Sequence, residues 1–187
     1  NIAKLLEKLE AQQGISYAPM QRQTLELALK NQLLVITGGP GTGKTTSIRA
    51  ILAMFDEIGI KTLLCAPTGR AAKRMTELTG RDAATVHRML GAKFDEDNDR
   101  VVFTKDESDR LVCDAVILDE CSMVDICLMD ALLRALPPDA RLIMVGDADQ
   151  LPSVGPGNVF SALIRSQVVA TVRLTEIFRQ TGDSRII

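Results

Sequence analysis

The stretch "TGGPGTGKTT", residues 37 to 46, separates an apolar run, Leu33 to Ile36, from a helix-like stretch, Ser47 to Ile58. Residues 38 to 45 match the pattern G-x-x-x-x-G-K-[ST] at every fixed position. Glycines at this spacing let successive backbone N–H groups converge on one anion, and the start of a helix adds unpaired donors. The alternative is a structural glycine-rich turn. The complete pattern between a strand and a helix instead predicts a phosphate-binding loop.

The residues of this loop have separable roles toward a nucleoside triphosphate. The Lys44 ammonium would reach the β- and γ-phosphates, and the Thr45 hydroxyl would coordinate Mg²⁺. The loop alone does not say what the triphosphate drives, because kinases, switches and motors share it. The residues predicted to bind the nucleotide here are Gly39, Gly41, Thr42, Gly43, Lys44, Thr45 and Thr46.

Short apolar runs alternate with helix-like segments along the rest of the chain. Most of the runs are not alternating, which is typical of strands buried on both faces of a parallel sheet. The pattern predicts an α/β layer fold with right-handed crossovers. The segment "KFDEDNDRVVFT" predicts a small inserted β-hairpin at about 93–105. Strands are predicted at 33–37, 62–66, 115–118, 141–145 and 168–174, and helices at 2–13, 21–30, 45–58, 70–79, 85–90, 124–136 and 158–166.

Composition narrows the class of protein. The 187 residues are 46% hydrophobic and 25% charged, which is ordinary for a soluble globular domain. No apolar stretch reaches the roughly 18 residues of a membrane span, and the charged N-terminus is unlike a signal peptide. The four cysteines form no CxxC pair, and the single histidine argues against a zinc site. We therefore expect a cytoplasmic protein that has reduced thiols and does not bind a membrane. Because the sequence lacks an initiator Met, we also expect it to be a piece of a longer chain.

Charge is uneven along the chain although the net charge is only −2. Residues 94–110 carry seven acidic and three basic side chains. Residues 66–93 carry two acidic side chains and six basic ones, which form a local face able to bind an anion. The basic residues are Arg70, Lys73, Arg74, Arg81, Arg88 and Lys93.

A pair of carboxylates follows the strand of "AVILDECSMVD", residues 115 to 125. Asp119 can hold the Mg²⁺ shell, and Glu120 can orient and deprotonate an attacking water. The alternative is two surface acids after a strand. An activated water favours a nucleoside triphosphatase over a small-molecule kinase.

Two later stretches remain ambiguous on spacing alone. In "LIMVGDADQLPSVGPG", residues 142 to 157, Gln150 could sense the γ-phosphate and Asp147 could support the metal shell, or both could belong to a solvated turn. In "RLTEIFRQ", residues 173 to 180, Arg179 is either a stabiliser of transition-state charge or a surface arginine.

The set "GGPGTGKTT", "CAPTGRAAKR", "TVHRMLG", "LDECSMVD", "VGDADQLPSVGPGNVF" and "RLTEIFRQ" resembles superfamily 1 DNA helicases of the RecD-like branch. That branch includes stand-alone RecD-like helicases and the alpha subunit of exodeoxyribonuclease V. The resemblance covers residues 17 to 180. It implies a P-loop NTPase (RecA-like) three-layer sandwich. Residues 17–187 would be the first motor domain, and residues 1–16 a linker helix from an upstream region.

The resemblance also implies roles at the nucleotide site. Gln21, in "YAPMQ", matches the glutamine that reads the adenine edge. Asp119 and Glu120 match the Mg²⁺ ligand and the catalytic base. Gln150 matches the glutamine that couples the γ-phosphate to DNA, and Arg179 matches an arginine finger. ATP and Mg²⁺ are therefore the expected cofactors, and Lys44 completes the expected catalytic set.

For DNA, the resemblance implies contacts with a single strand through Thr68 and Gly69, beside the basic residues Arg70 and Arg88. His87 either contacts DNA or is a core or capping histidine. The acidic hairpin falls where RecD-like helicases carry a pin that splits the duplex, and the alternative is a solvated loop.

The resemblance predicts an ATP-dependent motor that translocates 5′ to 3′ on single-stranded DNA and unwinds duplex DNA in recombination or repair. Binding would be sequence non-specific. The expected partners are DNA, a second RecA-like domain of the same parent chain and possible subunits of a nuclease complex. Without that second domain, we expect weak nucleotide binding and no unwinding. The alternatives are a P-loop ATPase of another class, such as a clamp-loader-like module, and a DNA-binding module without catalysis.

Overall fold

The computed structural model describes residues 1–150 and 157–175, which form a six-stranded sheet and a separate two-stranded hairpin. The sheet has the order β3-β2-β6-β7-β1-β8, and every neighbouring pair is parallel. The predicted α/β fold with a mainly parallel sheet is therefore confirmed. Its strands are β1 (Leu33–Gly38), β2 (Thr62–Ala66), β3 (Ala83–Thr85), β6 (Ala115–Leu118), β7 (Arg141–Gly146) and β8 (Ala170–Leu174); the hairpin strands are β4 (Ala92–Asp95) and β5 (Arg100–Phe103).

Helices cover both faces of the sheet, which explains the unbroken apolar runs of its strands. In β1, Leu34 and Ile36 belong to one hydrophobic cluster, whereas Val35 between them belongs to the other. In β6, Ile117 and its neighbour Leu118 are divided in the same way. Successive side chains of a strand point to opposite faces, so a strand between two helical layers is apolar at every position. The helices are α1 (Ile2–Gln13), α2 (Pro19–Lys30), α3 (Lys44–Glu57), α4 (Gly69–Thr79), α5 (Val86–Met89), α6 (Ile126–Ala135) and α7 (Val159–Ser166).

The N-terminal helix α1 packs against the same core as the sheet. Its Leu6 and Leu9 are buried in one cluster with Phe55 of α3. Asn1 caps the helix by accepting a hydrogen bond from the Ala3 N–H at 3.1 Å. The expected division of the chain into a linker helix, 1–16, and a motor domain, 17–187, stays a prediction.

The expected hairpin is present, with β4 and β5 antiparallel. Phe94 and Val101 lie opposite each other, and both are exposed. At its base the Thr104 N–H donates to the Gly91 carbonyl at 3.2 Å. The part of the hairpin that carries Phe94 and Val101 therefore lies outside the core, whereas Phe103 of β5 packs against it.

Some elements differ from the sequence predictions. The short strand β3 was not predicted, because Ala83-Ala84-Thr85 is brief and weakly apolar and becomes a strand by pairing with β2. Helix α6 begins at Ile126 rather than 124, since Asp125 caps it by accepting the Leu128 N–H at 2.8 Å. None of the helices in the described ranges has the length and apolar character that a bilayer crossing requires.

Candidate nucleotide-binding site

The glycine-rich loop connects β1 to α3 at the carboxyl edge of the sheet. Gly41 and Gly43 have φ angles of 74° and 95°, a region that costs other residues conformational energy. Gly43 occupies the N-cap of α3 and has no side chain to cap it. The first N–H groups of a helix lack intrahelical partners, so this turn presents free donors to an anion.

Contacts within the loop define its shape. The Thr42 hydroxyl donates to the Gly39 carbonyl at 2.6 Å, and the Lys44 ammonium donates to the Gly38 carbonyl at 2.6 Å. A Cβ at Gly38 would overlap the Thr42 hydroxyl and lie 3.1 Å from the Leu174 Cβ. A side chain at position 38 would therefore displace the Thr42 hydroxyl from its place in the loop. Lys44 lies over the loop with its charge available to a phosphate.

Asp119 and Glu120 follow β6 at the same edge. The Asp119 N–H donates to the Cys65 carbonyl at 2.9 Å, which continues the pairing with β2 for one residue. The Asp119 Oδ1 then accepts the Glu120 N–H at 2.8 Å. Glu120 has a φ of 52°, a left-handed conformation that is uncommon outside glycine and that often occurs at functional sites. The chain thus turns sharply at Glu120.

Opposing influences act on the pKa of Asp119. Burial raises it, and the neighbouring Glu120 raises it further. The Glu120 N–H and the positive charges of Lys44 and Arg74 lower it, and the net shift is upward. A bound cation would favour the ionised carboxylate and oppose this desolvation.

A cavity of about 450 Å³ brings together residues that are far apart in sequence. Most of the residues predicted to bind nucleotide line it, whereas Thr42 and Gln21 do not. Three residues of α4 also line it, and no sequence motif had pointed to them as part of this site. The lining residues are Gly39, Pro40, Gly41, Gly43, Lys44, Thr45, Thr46, Ala71, Arg74, Leu78, Asp119, Glu120 and Gln150.

Gln150 reaches the cavity from the segment after β7. The side-chain oxygen of Gln150 accepts a hydrogen bond from the Ser122 hydroxyl at 3.3 Å. The backbone N–H of Gln150 donates to the Asp147 carbonyl at 3.2 Å. Asp147 is buried and accepts the Asp149 N–H at 2.9 Å. Asp147 does not line the cavity, so its carboxylate supports the turn that carries Gln150.

Gln21 lines a second cavity, of about 610 Å³, with Tyr17 and Arg49. Its side-chain oxygen accepts the Ala18 N–H at 3.0 Å at the start of α2, which leaves its amide N–H groups for a ligand. Thr46 lines both cavities. The two cavities therefore meet the same residue of α3, and Asp119 lines only the first.

The residues expected to contact DNA lie at the far end of the same edge. In β2 and β3, Ala66 and Thr85 are paired in register, so the segments that follow them leave the sheet side by side. The first segment contains Thr68, Gly69 and Arg70, and the second contains His87 and Arg88. Gly69, Arg70, His87 and Arg88 are exposed, whereas the Thr68 hydroxyl caps α4 by accepting the Ala71 N–H at 3.2 Å. The His87 ring lies 5.9 Å from that of Phe103, which links this segment to the hairpin.

Arg179, the expected arginine finger, lies outside the described residues, so its role stays a prediction. Every other residue predicted for catalysis lines the first cavity; these residues are Lys44, Glu120 and Gln150.

Comparison with known proteins identifies the family of this chain. The family described as "AAA domain" matches residues 21–156. The chain is 41% identical over 178 residues to the "ATP-dependent RecD2 DNA helicase" of Deinococcus radiodurans, covering 95% of this chain and 24% of that protein. It is 40% identical over 167 residues to the "RecBCD enzyme subunit RecD" of Mycobacterium tuberculosis, covering 77% of this chain and 28% of that protein. The chain thus spans about a quarter of the length of these relatives.

A solved structure of Pif1 helicases at forked double-stranded DNA shares the fold, with a TM-score of 0.61 and 23% identity. The match covers 90% of this chain and 46% of that one. The resemblance to RecD-like helicases that the sequence motifs indicated is confirmed by the curated relatives.

Proposed function

Because this chain belongs to the AAA domain family, we propose that it binds and hydrolyses Mg-ATP as the motor domain of a DNA helicase. The observation that carries the proposal is the cavity that unites Lys44 and Thr45 with Glu120 and Gln150. A phosphate-binding loop alone fits many reactions. A loop that faces a carboxylate base and a glutamine fits hydrolysis of the terminal phosphate.

The donors around the cavity suit Mg²⁺. The Asp119 carboxylate and the Thr45 hydroxyl both line it, and Mg²⁺ prefers oxygen ligands, with one or two carboxylates completed by phosphates and water. In the described ranges no group of three or more His, Cys, Asp and Glu side chains could hold a metal ion by itself. Mg²⁺, when bound, would neutralise part of the phosphate charge.

The chain's own residues perform the remaining steps. The Lys44 ammonium exchanges its hydrogen bond to the Gly38 carbonyl for one to a phosphate oxygen. The Glu120 carboxylate accepts a proton from the attacking water, and Gln150, positioned by Ser122, orients that water or the terminal phosphate. Gln21 binds the adenine in the second cavity, and Arg179 stabilises negative charge in the transition state.

Single-stranded DNA would cross the exposed end of the same sheet edge, over Thr68, Gly69, Arg70, His87 and Arg88. The contacts would be to phosphates and therefore sequence non-specific. The hairpin β4–β5 stands beside His87 and would separate the strands of a duplex. A second RecA-like domain of the parent chain would close over ATP, and translocation would run 5′ to 3′.

We place the parent protein in DNA recombination or repair. The relatives' names support this proposal, since one is a DNA helicase and another a subunit of the RecBCD enzyme. The second name also makes other subunits of such an enzyme candidate partners.

The test is ATP hydrolysis by the longer parent protein, with and without single-stranded DNA. We expect stimulation by DNA that Lys44→Ala abolishes and that Lys4→Ala, at an exposed position of α1, leaves intact. Hydrolysis indifferent to DNA would indicate a P-loop ATPase of another class. DNA binding without hydrolysis would indicate a non-catalytic binding module.

A further inference from the structure

Helix α4 presents one face to the candidate nucleotide site. Ala71, Arg74 and Leu78, which line the first cavity, are three and four residues apart and therefore share a helix face. Ala72 and Met75 of the same helix are buried. The helix thus packs on the domain through Ala72 and Met75, and its adjacent face lines the cavity beside the glycine-rich loop.

Arg74 is the positively charged residue on the cavity-lining face of α4. Among the described residues, its guanidinium has no hydrogen-bond or ion-pair partner. Some arginines of the domain are paired, as in Arg81 with Asp56 and Arg22 with Glu10. What distinguishes Arg74 from the other arginines of α4 and α5 is that it lines the first cavity. Arg74 and Asp119 line the same cavity, and the positive charge of Arg74 acts to lower the pKa of the Asp119 carboxyl.

We propose that Arg74 is a second phosphate-binding cation of the nucleotide site, donating hydrogen bonds from α4 to a phosphate of bound ATP. This inference rests on the proposed function of the same cavity. A guanidinium presents a planar fork of donors that matches phosphate oxygens, and it stays charged in a partly dry site. An exposed, unpaired arginine on the wall of a phosphate cavity fits that role.

The position of Arg74 also connects the two ligands. The first turn of α4 follows Thr68 and contains Gly69 and Arg70, which are expected to contact DNA. Arg74 lies one turn farther along the same helix. A phosphate bound by Arg74 therefore restrains the helix whose first turn is expected to contact DNA. This restraint would couple nucleotide binding to the affinity for single-stranded DNA.

The competing assignment is that Arg74 binds a DNA phosphate together with Arg70. To separate the two, the full-length protein is titrated with fluorescent ATP in the absence of DNA. It is titrated separately with a fluorescent single-stranded oligonucleotide in the absence of nucleotide. The variants are Arg74→Gln and Arg74→Lys. The matched control is Arg165→Gln, at an exposed position of α7 that lines neither cavity.

We expect Arg74→Gln to weaken ATP binding about tenfold, the usual order for one charge-assisted hydrogen bond. Arg74→Lys should restore part of the affinity because it keeps the charge and loses the fork. Arg165→Gln should match the unsubstituted protein, and affinity for the oligonucleotide should be unchanged in all three. Unchanged ATP affinity in Arg74→Gln, or a loss confined to DNA binding, would overturn the inference alone. Failure of the unsubstituted protein to bind ATP would overturn both this inference and the proposed function.

Discussion

The carboxyl edge of the parallel sheet and the hairpin β4–β5 are built by opposite means. The strands of the sheet are buried between helical layers, and their ends bring together Lys44, Glu120 and Gln150 from distant parts of the sequence. The hairpin forms within a dozen residues, and its facing side chains Phe94 and Val101 remain 61% and 51% exposed. The candidate nucleotide site depends on the whole domain, whereas the hairpin depends mainly on its own turn and on its attachment at Gly91.

This difference implies that the two regions can be altered separately. Damage to the sheet or its edge should affect stability and ATP chemistry. Damage to the hairpin should spare both and affect only what the hairpin does to DNA.

The largest effect is expected for chemistry at the sheet edge. In the full-length protein, Glu120→Gln should lower ATP hydrolysis by roughly 10²- to 10⁴-fold, because the amide cannot accept the proton of the attacking water. Binding of ATP should persist, since Lys44 and the loop are unchanged. Steady-state hydrolysis and equilibrium binding are the two measurements.

The control for that comparison is Glu77→Gln, an exposed position of α4 that does not line the cavity. Its hydrolysis should equal that of the unsubstituted protein. Equal hydrolysis by Glu120→Gln would remove Glu120 from the mechanism and weaken the contrast between the two regions.

A matched pair of phenylalanines tests the contrast in stability. Phe55 of α3 is 0% exposed within the core, and Phe94 of the hairpin is 61% exposed. Phe55→Ala should lower the free energy of unfolding by about 3–5 kcal/mol, from lost burial and the cavity left behind. Phe94→Ala should change it by less than about 0.5 kcal/mol. Denaturant unfolding followed by circular dichroism measures both, and a similar loss in the two variants would show that the hairpin belongs to the core.

Shortening the hairpin tests its separate role and has the smallest expected effect on the motor. Lys93 and Val102 face each other across the two strands, so an Asn-Gly turn can replace residues 94–101. We expect unwinding of a forked duplex to fall at least about tenfold, a barrier increase of about 1.4 kcal/mol. DNA-stimulated ATP hydrolysis should change little. Undiminished unwinding would contradict the assigned role, and lost hydrolysis would contradict the independence of the two regions.

The sequence predicted most of this molecule because its signals are local. The unbroken apolar runs of β1, β6 and β7 indicate buried strands, and the glycine pattern identifies the phosphate loop from consecutive residues alone. The strand β3 escaped prediction because Ala83–Thr85 becomes extended only through pairing with β2.

The sequence pattern also could not show which residues packing brings together. Arg74 could be counted only as part of a basic cluster until the fold brought α4 over the loop. The binding of nucleotide by Thr42 stays a prediction, and its hydroxyl donates a hydrogen bond to the Gly39 carbonyl within the loop. Gln21 was predicted as a nucleotide contact, and its separate cavity beside Thr46 emerges only from the arrangement of α2 and α3.

The central claim is that this cavity holds Mg-ATP for hydrolysis, and a structure of the parent protein with Mg²⁺ and a non-hydrolysable ATP analogue tests it most directly. We expect the terminal phosphate between Lys44 and Glu120, Mg²⁺ bound by Thr45 and Asp119, and the adenine in the second cavity near Gln21. Nucleotide bound elsewhere, or phosphates in the loop with Glu120 too far away to reach the attacking water, would contradict the account.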